Sequence, residues 1–102
     1  RVDALPTFHL SPDLRLPIDG AEIDALLQTL PERFPDAEVQ RVDGVRLVWP
    51  NGWLLARRSI TEAACTLRFE GEDAATLAAI RARFVGAYPA LAAAFAAALA
   101  RS

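Results

Sequence analysis

The sequence contains no lysine and no methionine, and it has one cysteine. Each gap excludes something. All eleven basic residues are arginine, and they stand against thirteen acidic ones for a formal net charge of -2. A nucleic-acid binder needs a clustered excess of cations, so nucleic acid is disfavoured as a partner. One thiol, Cys65, cannot close an internal disulfide, and no stretch has the charged, apolar and small-residue blocks of a signal peptide. Both point to a reducing, cytoplasmic setting. Long hydrophobic runs are missing too. The longest, Tyr88 to Ala100, is alanine-rich and shorter than the roughly 20 residues needed to cross a bilayer, so no membrane association is expected. Without an initiator methionine the chain begins at Arg1, and the expectation is a piece of a longer protein.

What is present suits one domain. A chain of 102 residues that is 53% hydrophobic and 24% charged can bury a single core. Residues 1–12 mix Pro6 and Pro12 with polar residues and no period, as an interdomain linker would, leaving 13–102 as the domain. Leu14, Leu16 and Ile18 alternate with Arg15 and Pro17, which predicts a short edge strand. Ile23, Leu26, Leu27 and Leu30 recur at helical spacing, and Pro31 is expected to close or kink that helix. The middle reads as a meander: a strand over Glu38 to Val42, a two-residue turn at Asp43-Gly44, then Val45, Leu47 and Trp49 in alternation. Pro50-Asn51-Gly52 turns the chain into Trp53 to Ala56, and a later strand alternates at Cys65, Leu67 and Phe69. From Asp73 onward Leu77, Ile80, Phe84, Tyr88, Leu91, Phe95 and Leu99 draw one stripe along a long helix that Pro89 kinks or splits, leaving an alanine-rich part from about 89. The expected fold is α+β, a four- to five-stranded, mainly antiparallel sheet with two helices on one face.

The stretch that carries chemistry is Arg57-Arg58-Ser59-Ile60-Thr61-Glu62. Two guanidiniums and two hydroxyls follow directly on a strand. A guanidinium presents two parallel N–H donors to phosphate oxygens, and hydroxyls and turn N–H groups fill the remaining acceptors. Spacing alone leaves another reading open. Ser59 with Glu62 three residues on matches a helix capping box, and paired arginines at a strand end are often a solvated edge.

The order Asp43-Gly44-Val45-Arg46, Gly52-Trp53, Arg57-x-Ser59-x-Thr61-Glu62 and Leu67-Arg68-Phe69-Glu70 resembles the last domain of the α-D-phosphohexomutases, most like the bacterial phosphomannomutase/phosphoglucomutase group. The resemblance covers roughly Leu14 to Phe84. It implies a TATA-binding-protein-like fold and a loop that grips the substrate phosphate remote from the reacting one. Arg57, Ser59 and Thr61 match the family's phosphate contacts. Ile60 stands where the family has a polar residue or glycine, Arg58 where it has a small residue or proline, and Ala63 where it usually has proline. Ile60 then offers only its backbone N–H, and Arg58 is an additional candidate.

The resemblance further implies a parent enzyme with three preceding domains, which supply the phosphoserine, the Mg2+ loop and the sugar-reading loop. The chain alone is then expected to catalyse nothing and to bind hexose phosphates or a hexose 1,6-bisphosphate. Two alternatives are a phosphoglucosamine mutase fragment, for which glycine is expected at position 60, and an interaction module that dimerises through its C-terminal stripe.

Other candidates have simpler readings. His9 lies in the linker without partners for a triad or metal site. Glu72 and Asp73 are read as the start of the last helix rather than, with Glu70, a cation site. Trp49 and Trp53 are read as packing residues, and Cys65 as an inert core thiol.

Overall fold

A computed structural model describes residues 9–10, 13–41, 44–59 and 63–101. The elements run β1 (His9–Leu10), β2 (Leu14–Leu16), α1 (Gly20–Arg33), β3 (Glu38–Gln40), β4 (Val45–Trp49), β5 (Gly52–Arg58), β6 (Cys65–Gly71), α2 (Ala74–Ala87), a 3-10 turn at Pro89–Leu91 and α3 (Ala92–Arg101). The sheet has the order β1-β6-β5-β4-β3, with β2 also on β6 and every pairing antiparallel. Since β5 occupies one edge of β6, β1 and β2 follow one another along its other edge, and the sheet is five strands wide.

Strand alternation sorts the side chains into two faces. Val45 and Leu47 of β4, Leu54 and Ala56 of β5, Cys65, Leu67 and Phe69 of β6, and Leu14 and Leu16 of β2 are all buried. Their cross-strand partners match, as in Leu47 with Leu54 and Leu67 with Leu14, so they form one continuous apolar surface. The helices cover it with Ile23, Leu26 and Leu30 from α1, Leu77, Ile80 and Phe84 from α2, and Phe95 and Ala98 from α3. Each such large side chain contributes about 1.5–3 kcal/mol through burial. The opposite face carries Arg46, Val48, Trp53, Leu55, Arg57, Thr66, Arg68 and Glu70, and no helix crosses its centre among the described residues.

Capping chemistry sets the helix starts. Asp19 caps α1, its carboxylate accepting from the Glu22 N–H at 2.8 Å while Glu22 reaches back to the Asp19 N–H, a reciprocal capping box. Asp73 caps α2 by accepting from the Thr76 N–H at 2.7 Å, so Asp73 does open that helix, while Glu72 precedes it.

Four sequence expectations are amended. Pro31 does not close α1, which continues to Arg33; a proline this close to the C-terminus removes one intrahelical bond and leaves little helix to disrupt. The long C-terminal helix is two helices bent by 106° at the Pro89 turn, so three helices, not two, serve the sheet. The bend lets Phe95 return to the core, where it meets Phe69 at 5.7 Å and Phe84 at 5.6 Å between ring centroids. His9 and Leu10, read as linker, pair with Gly71 and Glu70 as β1. Asp43 lies outside the described residues; Gly44 has φ +120°, in the region that favours glycine, but β3 ends at Gln40 rather than Val42 and pairs Gln40 with Arg46, whereas a two-residue turn at 43–44 would pair Gln40 with Leu47. No single described helix is long and apolar enough to cross a membrane.

At the end of the sheet formed by the β4–β5 turn, Arg83 of α2 grips Asp36 with two hydrogen bonds, at 2.9 and 3.0 Å. The Trp49 indole N–H donates to the same carboxylate at 2.9 Å, and the Arg83 guanidinium lies over the Trp49 and Phe34 rings. The Arg83 hydrogen bonds lower the Asp36 pKa to about 2, against a smaller opposing effect of burial, and Trp49 assists.

Candidate functional site

The basic pair ends β5, at the opposite end of the sheet from Asp36. Successive side chains of a strand point to opposite faces, and that rule separates Arg57 from Arg58. Arg57 shares the open face with Trp53 and Leu55 and pairs with Thr66 of β6. Arg58 falls on the helix side and forms an ion pair with Asp24 of α1. Both partners are exposed, so the pair contributes at most about 1 kcal/mol, yet it aims the guanidinium toward α1. Gly20, at the start of α1, leaves room for this, since a Cβ there would stand 3.3 Å from the Arg58 Nη1.

Beyond Arg58 the two strands stay joined. The Ser59 N–H donates to the Ala64 carbonyl at 2.9 Å, one step past the Arg58 to Cys65 pairing. Ala64 leads directly into β6. Ile60, Thr61 and Glu62 lie outside the described residues. The Ser59 backbone donor is thus used in joining the two strands.

Gly44 sits against the base of this loop. A Cβ there would lie 2.8 Å from the Arg57 Cβ, so glycine permits both the left-handed backbone and the close approach of the β4 start to Arg57. Cys65, at the start of β6, is fully buried, and burial raises its thiol to about 11. Burial thus disfavours its thiolate, the reactive form.

The remaining aromatic candidates resolve as packing. Trp49 meets Phe34 edge-on at 5.9 Å, and Trp53 lies under the Arg46 guanidinium at 4.8 Å. The C-terminal stripe that suggested a dimer surface faces inward through Phe95 and Ala98, leaving Ala93, Ala96, Ala97 and Ala100 outward. His9 is placed only by its backbone in β1.

The class of protein is thereby set: an α+β domain whose helices line one sheet face and whose basic hairpin closes one sheet end. A family model described as phosphoglucomutase/phosphomannomutase, C-terminal domain, matches residues 14–87. A phosphomannomutase/phosphoglucomutase of Pseudomonas syringae pv. tomato is 30% identical over 84 residues, which is 80% of this chain and 18% of that protein. The crystal structure of a phosphoglucomutase/phosphomannomutase family protein from Burkholderia thailandensis superposes with a TM-score of 0.68 at 35% identity, covering 90% of this chain and 19% of that one. The chain belongs to the phosphoglucomutase/phosphomannomutase C-terminal domain family, and it spans about a fifth of the length of these relatives.

Proposed function

We propose that this chain is the phosphate-holding lid of a larger phosphohexomutase, which interconverts hexose 1- and 6-phosphates through a hexose 1,6-bisphosphate. The observation that carries the reading is membership of the family over residues 14–87 together with the place of Arg57 on the open face at the end of β5. Arg58 is engaged by Asp24, while Arg57 stands on the open face at the mouth of the hairpin. Arg57 is then the phosphate fork. The Ser59 hydroxyl and the Thr61 hydroxyl are accessory donors, and Ile60 offers only its backbone N–H. Charge-assisted bonds of this kind contribute roughly 1.5–3 kcal/mol each, so a few of them hold one phosphate even after its dehydration.

The reacting groups belong to the rest of the enzyme. The magnesium of the reaction is assigned to the rest of the enzyme, and no step is routed through it here. The contribution of this chain is to orient the distal phosphate and, by closing over it, to exclude water from the transfer.

The test is steady-state kinetics of the full-length protein with a hexose 1-phosphate. Arg57→Ala is expected to lower kcat/KM by roughly tenfold or more, the loss of one charge-assisted bond. Arg58→Ala should stay within about twofold, as for the loss of an exposed ion pair. Wild-type kinetics for Arg57→Ala would remove the assignment.

A further inference from the structure

At the edge of the sheet where α3 meets β2 lies a hollow of about 210 Å³ lined by Asp13, Leu14, Arg15, Thr66, Ala98 and Arg101. Thr66 is its most informative member. It is the one polar or charged residue among the buried described residues, at 8% exposure, and no hydrogen bond of its hydroxyl is formed among them. The hydroxyl is not a fully enclosed atom; it opens into the hollow, where a ligand or water can meet it.

Arginines surround it. Cross-strand register places Arg57 on one side of Thr66 and Arg15 on the other, all on the open face. Arg68 follows two residues along β6 on the same face and pairs with Asp13 at 3.2 Å. Arg101, in the last turn of α3, donates to the Arg15 carbonyl at 3.3 Å and lines the same hollow. A guanidinium carries five donors, so an existing contact at Arg15 or Arg101 leaves others for a ligand. Two effects oppose an anion here, the Asp13 carboxylate and the carbonyl end of α3. The first is already paired with Arg68, and the second amounts to about half a charge, so the arginines outweigh both.

We propose that Thr66, Arg15 and Arg101 form a second anion subsite, one strand away from the Arg57 hairpin, that takes a phosphate group. The subsite uses residues outside the hairpin and stands independently of the loop assignment. The phosphate is either free or the second group of a bisphosphorylated sugar.

The experiment is an NMR titration of the protein with inorganic phosphate at constant ionic strength, reading backbone amides and arginine Nε–H signals. Saturable shifts are expected at Thr66, Arg15 and Arg101. Arg15→Gln and Arg101→Gln, both surface changes, should each raise the Kd read at Thr66 by roughly fivefold or more while leaving that at Ser59 within twofold. Thr66→Val, which keeps the shape, should do the same to the Arg15 signal. Shifts at Arg57 and Ser59 alone would overturn the subsite and leave the loop; shifts nowhere would overturn both. A Thr66 response unaltered by Arg15→Gln would also overturn it. Glucose 1,6-bisphosphate separates the sources. Coupled shifts at Ser59 and Thr66 with one common Kd support a bridging ligand, and independent Kd values support free phosphate.

Discussion

Arg57 and Arg58 are neighbours in sequence and fall on opposite faces of the sheet, and that single alternation gives them different surroundings. Two arginines in a row read from sequence as a doubled anion fork or a solvated edge. The sheet makes them two different residues, because Asp24, 34 positions away, engages only Arg58. No local pattern announces that pairing. In the same way, the capping box at Asp19 and Glu22 was legible in principle from Asp-x-x-Glu before an apolar run, whereas Ser59, with the same spacing to Glu62, donates its N–H to the Ala64 carbonyl across the two strands. Local spacing is shared by both; long-range strand pairing separates them. At this scale Arg58→Ala is expected to destabilise the fold by less than about 1 kcal/mol in urea unfolding, consistent with an exposed pair.

A second residue-scale expectation concerns acid. The Asp36 carboxyl is depressed from its ordinary 3.8 to about 2 by Arg83 and Trp49. A group with a lowered folded pKa contributes stability that is fully present above the unfolded value and is lost as pH falls through the folded one. Stability should therefore fall between about pH 4 and pH 2. In Asp36→Asn that part of the decline should vanish, with Trp49 fluorescence as a local reporter of the indole hydrogen bond. An unchanged acid profile in the variant would assign the decline to other carboxylates.

Elements were legible to different degrees, for reasons that lie in their surroundings. β4, β5 and β6 follow from strict alternation because one face is buried and the other is not, so register and pattern coincide. The Pro50-Asn51 turn and Gly44 likewise follow from local chemistry. β1 did not, since two residues held by one neighbour make no pattern of their own. α3 was half legible. Its apolar stripe was plain, but the 106° bend that sends it back to the core depends on Phe69 and Phe84 accepting Phe95. α3 lies beyond the residues matched by the family model, yet it completes the aromatic cluster and carries Arg101 to the edge of β2. Phe95→Ala is expected to cost about 3–5 kcal/mol in chemical denaturation, as for other buried aromatic truncations. A loss below about 1 kcal/mol would show α3 to be an appendage.

At the scale of the molecule, the fold places its chemistry at one sheet end and its structural ion pair at the other. The hairpin, Gly44, the α1 start with Asp24, and the arginines around Thr66 gather at the loop end. Asp36, Arg83 and Trp49 lock the opposite end. Composition alone disfavoured nucleic acid through the balance of charge, and the ordered motifs from Asp43 to Glu70 carried the family reading that the matched residues 14–87 support. What the sequence could not supply was direction: which arginine lies on the open face and which one pairs with Asp24.

The most direct measurement of the central claim is a chemical-shift titration of the protein with glucose 1,6-bisphosphate. Binding through the hairpin is expected to shift residues 57–62 and the Arg57 Nε–H, and Arg57→Ala should raise the Kd by roughly tenfold or more. Shifts confined to α3, or a Kd indifferent to Arg57, would contradict the reading of this loop as the site that holds phosphate.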